Sequence, residues 1–275
     1  MVWTDKTAVV CTMHGKETVI KPALHSLGLN WISANFDTDQ FGTFSAEVAR
    51  VNSPLETARK KCQLAFDNTD ATIAIASEGS FGPHPMIPFL PINEEIILFS
   101  DREQDIEISI SSLSTETNFS SKYCTTWEDV VSFAKHIGFP THGLILKADG
   151  MTKVHKGIDN PDLLQALFEQ VMKTSNGFTL ETDMRAMFNP TRMKHIYLAA
   201  EKLSSKLLSC CPSCHKPGFG EERVESGLPC ALCGLPTDSI LLKEVTCIHC
   251  QHQSVTAFPN GKEHEDPQFC SYCNP

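Results

Sequence analysis

Residues 53–80, SPLETARKKCQLAFDNTDATIAIASEGS, carry the pattern that decides the fold of this chain. Ser53, Pro54 and Glu56 supply an N-cap, a proline at the first helical position and a capping-box acid, so they predict the start of a helix. The apolar run Ala71–Ala76 that follows has strand length and predicts a buried strand. A helix that leads into a buried strand is typical of an α/β fold.

Outward from this stretch, short β-rich runs alternate with helical patterns through residues 1–208. We therefore predict a mixed twisted sheet flanked by helices, with a possible anion or nucleotide site. The chain has 275 residues, more than one ordinary domain, and residues 209–275 are predicted to form a small double zinc ribbon. The other predicted strands are 8–12, 30–34, 96–99, 106–110, 143–147 and 178–182, and the other predicted helices are 15–27, 127–137, 161–173 and 190–208.

Nine of the twelve cysteines lie in residues 209–275, and eight of them form four C-x-x-C pairs. A two-residue gap lets both sulfurs of a tight turn point at one tetrahedral ion, so two four-cysteine sets predict two zinc ions. Sequential pairing and cross-braced pairing, first with third and second with fourth, both remain open. Because every ligand position is filled by thiolate, these ions would stabilise structure only. The predicted ligands are Cys211, Cys214, Cys230, Cys233, Cys247, Cys250, Cys270 and Cys273.

Buried reduced thiols and a redox dithiol are the alternative interpretations of these cysteines. The redox interpretation is disfavoured because a redox C-x-x-C pair normally begins a helix, whereas these pairs lie among Gly and Pro. Gly234 directly follows the second pair and is expected to take the positive φ that turns backbone N–H groups toward sulfur. Cys210 is left over, either as a weak alternative ligand to Cys211 or as a free thiol.

The charge of residues 209–275 argues against nucleic-acid binding. Four Lys and Arg stand against eight Asp and Glu, a net charge of −4, and each all-thiolate zinc site adds about −2. Phosphate backbones would be repelled, so we expect a role in protein contacts or as a lid for this region instead. No apolar run reaches the roughly 18 residues of a membrane span, and residues 1–6 do not look like a signal peptide, so a cytoplasmic location is expected.

Two polar clusters follow predicted strands, where open α/β sheets bind ligands. Thr12, His14 and Lys16 form a strand-to-helix turn that is expected to bind phosphate; ordinary turn chemistry is the alternative. Glu78 is placed at the tip of the strand that begins at Ala71, where with Glu56 it is expected to hold Mg²⁺ through carboxylate oxygens. For Glu56 the alternative is its role as the capping-box acid.

A third cluster lies between a predicted strand and the last helix. Arg185 and Arg192 are expected to bind phosphate, because guanidinium matches phosphate bidentately. Asp183 in the same cluster is a candidate to orient or deprotonate water. The alternative is a surface Asp–Arg pair of little energetic value. His142 is a further candidate polar group.

Several runs resemble an uncharacterised bacterial family of roughly this length. They are residues 37–44 (DTDQFGTF), residues 77–85 (SEGSFGPHP), residues 181–193 (ETDMRAMFNPTRM) and the closing C-x-x-C pairs. The resemblance covers almost the whole chain and implies no particular activity.

More distantly, residues 7–208 resemble inosine/xanthosine triphosphate pyrophosphatases and their Maf-like relatives. Five short motifs follow that family's order: 12–16 (TMHGK), 56–61 (ETARKK), 78–80 (EGS), 138–143 (GFPTHG) and 189–192 (NPTR). His14 and Thr57 stand where the family has Asn, and Thr191 and Arg192 stand where it has Ser-His-Arg. The resemblance implies hydrolysis of a nucleotide or a related phosphate ester.

The leading hypothesis from the sequence is therefore a Mg²⁺-dependent hydrolase of such a phosphate ester. Glu78 and Asp183 are its candidate catalytic groups, and Thr12, His14, Lys16, Arg185 and Arg192 its candidate phosphate-binding groups. The alternative is a non-catalytic binding or adaptor protein that uses residues 209–275 for protein contacts.

Overall fold

The computed structural model describes residues 3–41, 52–84, 86–149 and 154–274. The chain divides into two compact units, Met1–Leu203 and Ser204–Pro275. The predicted α/β class is confirmed, with mixed sheet and helices in the first unit and a small β-ribbon in the second. Of the runs that carry the family resemblance, residues 42–44 and Pro85 lie outside the described residues.

One five-stranded sheet contains most of the predicted polar clusters. Its strands are β1 (Thr7–Cys11), β2 (Asn30–Trp31), β3 (Ile73–Pro83), β4 (Pro91–Asp101) and β5 (Ile106–Ser114), and its helices are α1 (Glu17–Ala23) and α2 (Pro54–Asn68). The strand order is β2-β1-β3-β4-β5. The β2-β1-β3 part is parallel, whereas β4 and β5 are added by antiparallel hairpins.

Helix α2 begins as its sequence predicts. The Ser53 hydroxyl accepts a hydrogen bond from the Glu56 backbone N–H at 3.3 Å, and the Glu56 carboxylate accepts from the Ser53 N–H at 2.9 Å. Ala58, Cys62 and Ala65 on the inner face of the helix pack against the small residues of β1 and β3. The short side chains allow the helix to lie close to the sheet.

Strand β3 does not end at Ala76, as its apolar run predicts, but continues to Pro83. Every residue from Ile73 to Pro83 pairs with β4. Glu78 therefore lies within a strand rather than at its tip, and successive side chains point to opposite faces of the sheet. Glu78 is accommodated within the strand because Lys61 of α2 supplies a charged partner for it.

A second, four-stranded antiparallel sheet completes the first unit. Its strands are β6 (Ser121–Cys124), β7 (Leu144–Ala148), β8 (Val154–Ile158) and β9 (Phe178–Thr182), in the order β6-β9-β7-β8, with α3 (Trp127–Ile137) and α4 (Pro161–Val171) packed against it. Helix α5 (Pro190–Leu208) follows β9 and crosses the boundary between the units. None of the helices in the described part of the chain has both the length and the hydropathy of a membrane span.

The second unit is built on a three-stranded antiparallel sheet of β10 (Glu221–Ser226), β11 (Ile240–Thr246) and β12 (Gln253–Ala257). All five residues of β12 are exposed, and those of β11 are half-buried. A small unit that buries so little apolar surface needs another source of stability. The C-x-x-C turns that flank these strands are the candidates for it.

Candidate zinc centres and a buried charge cluster

The eight cysteines of the C-x-x-C pairs form two groups, and within each group the sulfur atoms all lie within 4.8 Å of one another. The first C-x-x-C pair joins the third, and the second joins the fourth. Of the two pairings that the sequence leaves open, the structure therefore has the cross-braced one. The groups are Cys211, Cys214, Cys247 and Cys250, and Cys230, Cys233, Cys270 and Cys273.

The sulfur separations fit a metal ion better than a disulfide. Sγ atoms from facing pairs lie 3.7 Å apart for Cys211 and Cys250, and 3.7 Å apart for Cys233 and Cys270. A disulfide needs about 2.05 Å, whereas four sulfurs at about 2.3 Å from a tetrahedral zinc ion lie about 3.8 Å from each other. The residues present therefore fit zinc.

All four C-x-x-C turns share one backbone hydrogen bond. In each, the residue after the second cysteine donates its N–H to the carbonyl of the first, at 2.9 Å from His215, Gly234 and Gln251 and 2.8 Å from Asn274. The φ of Gly234 is +72°, which confirms the expectation for that glycine, and His215 and Gln251 take similar values of +59° and +60°. The repeated turn places both sulfurs of each pair on one side.

Backbone N–H groups are aimed at the sulfurs. Ser213 donates to Sγ of Cys211 and Leu232 to Sγ of Cys230, both at 3.4 Å. The N–H groups of Cys233 and Leu232 lower the pKa of Cys230 to about 7, although burial opposes this shift. In the same group, hydrogen bonding with the Cys233 sulfur raises the pKa of Cys273 to about 12. One thiolate forms readily, and its negative charge then disfavours ionisation of the next thiol. A bound dication removes this repulsion between thiolates.

Glu265 joins the second cysteine group to the β-ribbon, and sequence reasoning missed it. Its buried carboxylate accepts hydrogen bonds from the Ser239 hydroxyl at 2.5 Å and from Lys262 Nζ at 2.7 Å. Its backbone N–H donates to the Pro229 carbonyl, and its carbonyl accepts from the Ala231 N–H, both at 2.9 Å. These bonds surround Cys230, so Glu265 positions that ligand.

In the first unit, Lys16 turns inward from the loop after β1. Its Nζ donates to the carbonyl oxygen of Ser77 at 3.1 Å and to the Ser77 hydroxyl at 2.9 Å. The backbone pairing of β1 with β3 ends at Cys11 and Ala76. The Lys16 side chain contacts Ser77, the next residue of β3. Burial, and then the nearby charge of Arg192, lower the pKa of Lys16 to about 7.

Glu78 and Arg192 each engage a buried partner that the sequence did not predict. The Glu78 carboxylate forms an ion pair with Lys61 of α2. On the other face of the sheet, Nε of Arg192 donates to Oε1 of Glu95 at 2.6 Å, and its Nη1 donates to the Met184 carbonyl at 2.5 Å. Lys16 interacts electrostatically with both pairs, so these five side chains make one cluster, here called the charge cluster.

The remaining predicted site residues lie outside the charge cluster. Asp183 is buried and pairs with Arg185, whose Nη2 lies 2.6 Å from Oδ2. The same Asp183 oxygen accepts from the Gly157 N–H at 3.0 Å. Glu56 is engaged at the exposed start of α2, in its capping role, and not beside Glu78. His142 contacts the Thr191 hydroxyl at 2.9 Å.

A cavity of about 440 Å³ lies beyond the carboxyl ends of β1 and β2. Thr12, Lys21, Asn35 and Asp37 are among its lining residues, and Thr12 is the one predicted phosphate-binding residue in its described lining. The His14 backbone N–H donates to the Thr12 hydroxyl at 3.3 Å. Within the turn 12–16, Thr12 therefore lines the cavity, whereas Lys16 belongs to the charge cluster.

The family described as Domain of unknown function (DUF6671) matches residues 61–275. That range includes both cysteine groups and four of the five members of the charge cluster, Lys16 being the exception. Neither a curated protein nor a solved structure matches the chain.

Proposed function

Since the chain belongs to the DUF6671 family, we propose its function from its own geometry: residues 204–275 bind two structural zinc ions. The observation that carries this proposal is the gathering of eight cysteine sulfurs into two groups, each within 4.8 Å. A shell of four thiolates leaves no position for water, so the ions stabilise the fold and do not activate a substrate.

Metal analysis of the purified chain tests the zinc proposal. Two zinc ions per chain are expected, and a value near zero would contradict it. Replacement of Cys210, which lies outside both groups, by serine is the matched control and keeps both ions.

Two quadruple variants test the pairing. Replacing Cys211, Cys214, Cys247 and Cys250 by serine removes one whole group and leaves one zinc ion. Replacing Cys211, Cys214, Cys230 and Cys233 leaves two cysteines in each group and removes both ions. Sequential pairing would give the reverse result.

A second candidate function, hydrolysis of a phosphate ester by the α/β unit, is favoured by the charge cluster. Lys16, Glu78 and Arg192 are far apart in the sequence, but Lys16 interacts electrostatically with both of the others. With all groups ionised, three cations stand against two carboxylates, so the cluster has one positive charge in excess. A phosphate group would offset that charge.

Magnesium held by Glu78 and Glu56 is not part of this proposal, because both carboxylates are engaged elsewhere. Lys61 supplies positive charge for the substrate phosphate, and the fully buried Arg192 adds its field. Glu78 holds Lys61 in position. Asp183 and Arg185 form a separate pair and take no part.

A panel of nucleoside triphosphates and phosphate monoesters, assayed with and without Mg²⁺ for released phosphate and pyrophosphate, tests the hydrolase. Glu78→Gln is expected to lower turnover at least about tenfold, since it releases Lys61. The matched control is Glu107→Gln, which breaks an exposed ion pair with Arg59. Equal turnover by Glu78→Gln and wild type would contradict the role of Glu78, and no turnover on any substrate would favour the non-catalytic adaptor function.

A further inference from the structure

Ser77 forms a close side-chain pair with Lys16, a member of the charge cluster. Nζ of Lys16 lies 2.9 Å from the Ser77 hydroxyl oxygen. Ser77 is 3% exposed and Lys16 is 5% exposed, so little water competes for either group. A serine hydroxyl and a lysine amine in such contact are the two components of a nucleophile activated by a neighbouring base.

The charges around Lys16 favour its neutral form. Arg192 from α5, Glu95 from β4, Lys61 from α2 and Glu78 from β3 surround it. These four charges cancel in pairs, so a proton on Lys16 adds an uncompensated charge in a buried place. Burial, the largest effect, and the repulsion by Arg192 bring the pKa of Lys16 to about 7, where the amine accepts a proton at neutral pH.

We propose that Ser77 and Lys16 are the nucleophile and the general base of the phosphate-ester hydrolysis, which proceeds through a phosphoseryl intermediate. This inference rests on the second proposed function. The Ser77 oxygen bonds to phosphorus, the bond from phosphorus to the leaving oxygen breaks, and the hydroxyl proton passes to Lys16 and then to the leaving group. The positive charge that Lys16 gains is offset by the bound phosphate.

A water molecule completes the reaction. Its oxygen bonds to phosphorus, the bond between phosphorus and the Ser77 oxygen breaks, and Lys16 carries the proton from the water to the released serine oxygen. One ester and one water are consumed, one alcohol or shortened phosphate and one phosphate are formed, and no oxidant or reductant is needed.

A fluorophosphonate probe tests the pair without knowledge of the substrate. Attack by Ser77 expels fluoride and leaves an adduct on that residue, which peptide mass spectrometry locates. The labelling rate is expected to rise with pH through about 7 and to fall about a hundredfold in Lys16→Arg, which keeps the cation but cannot act as the base. Ser77→Ala removes the adduct, whereas Ser100→Ala, a half-buried serine on β4, retains it.

Thermal unfolding of each variant verifies that it is folded. Ser77→Ala keeps the carbonyl to which Lys16 also donates, so it remains informative if Lys16→Arg does not fold. No adduct on Ser77 of the wild-type chain, or equal labelling of wild type and a folded Lys16→Arg, overturns the proposal.

The substrate panel distinguishes the roles of Ser77 and Lys16 from the phosphate-ester hydrolysis on which they rest. Turnover that disappears in Ser77→Ala supports both. Turnover that persists in Ser77→Ala overturns the serine nucleophile and leaves the hydrolase standing. A Lys16-dependent adduct without turnover on any phosphate ester supports the pair and overturns the phosphate-ester substrate.

Discussion

Nε of Arg192 lies 2.6 Å from Oε1 of Glu95, and neither side chain is exposed to solvent. Because a buried charge that loses its partner keeps its desolvation cost, we expect Glu95→Ala to lower the free energy of unfolding by about 3–5 kcal/mol. Urea denaturation followed by circular dichroism measures the change. Glu107→Ala is the control, since it breaks the exposed pair with Arg59 and is expected to cost less than about 1 kcal/mol. Similar costs for the two variants would contradict a buried Arg192–Glu95 pair.

Gly79 has no side chain, and the Arg192–Glu95 ion pair occupies the space that a side chain there would fill. A Cβ atom at Gly79 would collide with Nη2 of Arg192 and Oε1 of Glu95. We expect Gly79→Ala to lower the free energy of unfolding by about 1–3 kcal/mol through overpacking. Gly82→Ala, three residues along the same strand, meets no described atom within 4 Å and should be neutral or slightly stabilising.

The double variant Gly79→Ala/Glu95→Ala separates the two effects. Removal of the Glu95 carboxylate relieves part of the collision, so the combined cost is expected to be smaller than the sum of the single costs. Strict additivity of the unfolding free energies would show that the methyl group introduced by Gly79→Ala does not press on the ion pair.

Local signals in the sequence were sufficient for several elements. Helix α3 has the predicted bounds because Trp127 begins the apolar pattern and Gly138 ends it with a φ of +88°. Strands β6 and β8 were not predicted. Their sequences, SKYC and VHKGI, are short and only partly apolar, and they become strands by pairing with β9 and β7.

The two candidate sites differ in how far they are visible in the sequence. The cysteine spacing predicts the zinc ligands, because each C-x-x-C turn is local, but the cross-braced partners are more than thirty residues apart. Glu95 is separated from Arg192 by 97 residues, and the acidic residues of β4 give no indication of which basic residue pairs with Glu95. The same applies to Lys61 and Glu78, whose meeting depends on α2 packing against β3.

Glu265 is expected to control how firmly the second zinc ion is held. Glu265→Gln keeps the size of the side chain but loses the charge-assisted bond from Lys262, so the position of Cys230 is less constrained. Partners of this kind contribute to metal affinity, and we expect zinc release to a chromophoric chelator to be about tenfold faster. Glu263→Gln, an exposed neighbour, should match the wild type.

A variant that lacks the first cysteine group shows which zinc ion is affected. Its serine substitutions are at Cys211, Cys214, Cys247 and Cys250. In that background only the second group holds zinc, and Glu265→Gln should accelerate release as it does in the full chain. An effect in the full chain that vanishes in this background would place the role of Glu265 at the first group instead.

Asp129 at the start of α3 makes a contribution to the stability of the fold that depends on pH. The ion pair with Lys122 at 2.8 Å is the main cause, followed by the Thr125 N–H and the Thr126 hydroxyl, and together they lower the pKa of Asp129 to about 2. A carboxyl with a depressed folded pKa stabilises the fold fully above its unfolded pKa of about 3.9. That stabilisation is lost as pH falls through about 2.

The titration of Asp129 is measurable from its carboxyl ¹³C shift by NMR. We expect a midpoint near 2 in the wild type and a midpoint moved toward the unfolded value in Lys122→Met, because the largest cause of the shift is removed. Lys135→Met, at the exposed end of the same helix, should leave the midpoint unchanged. An unchanged midpoint in Lys122→Met would mean that the backbone and hydroxyl donors of the capping box hold the carboxylate without help from the ion pair.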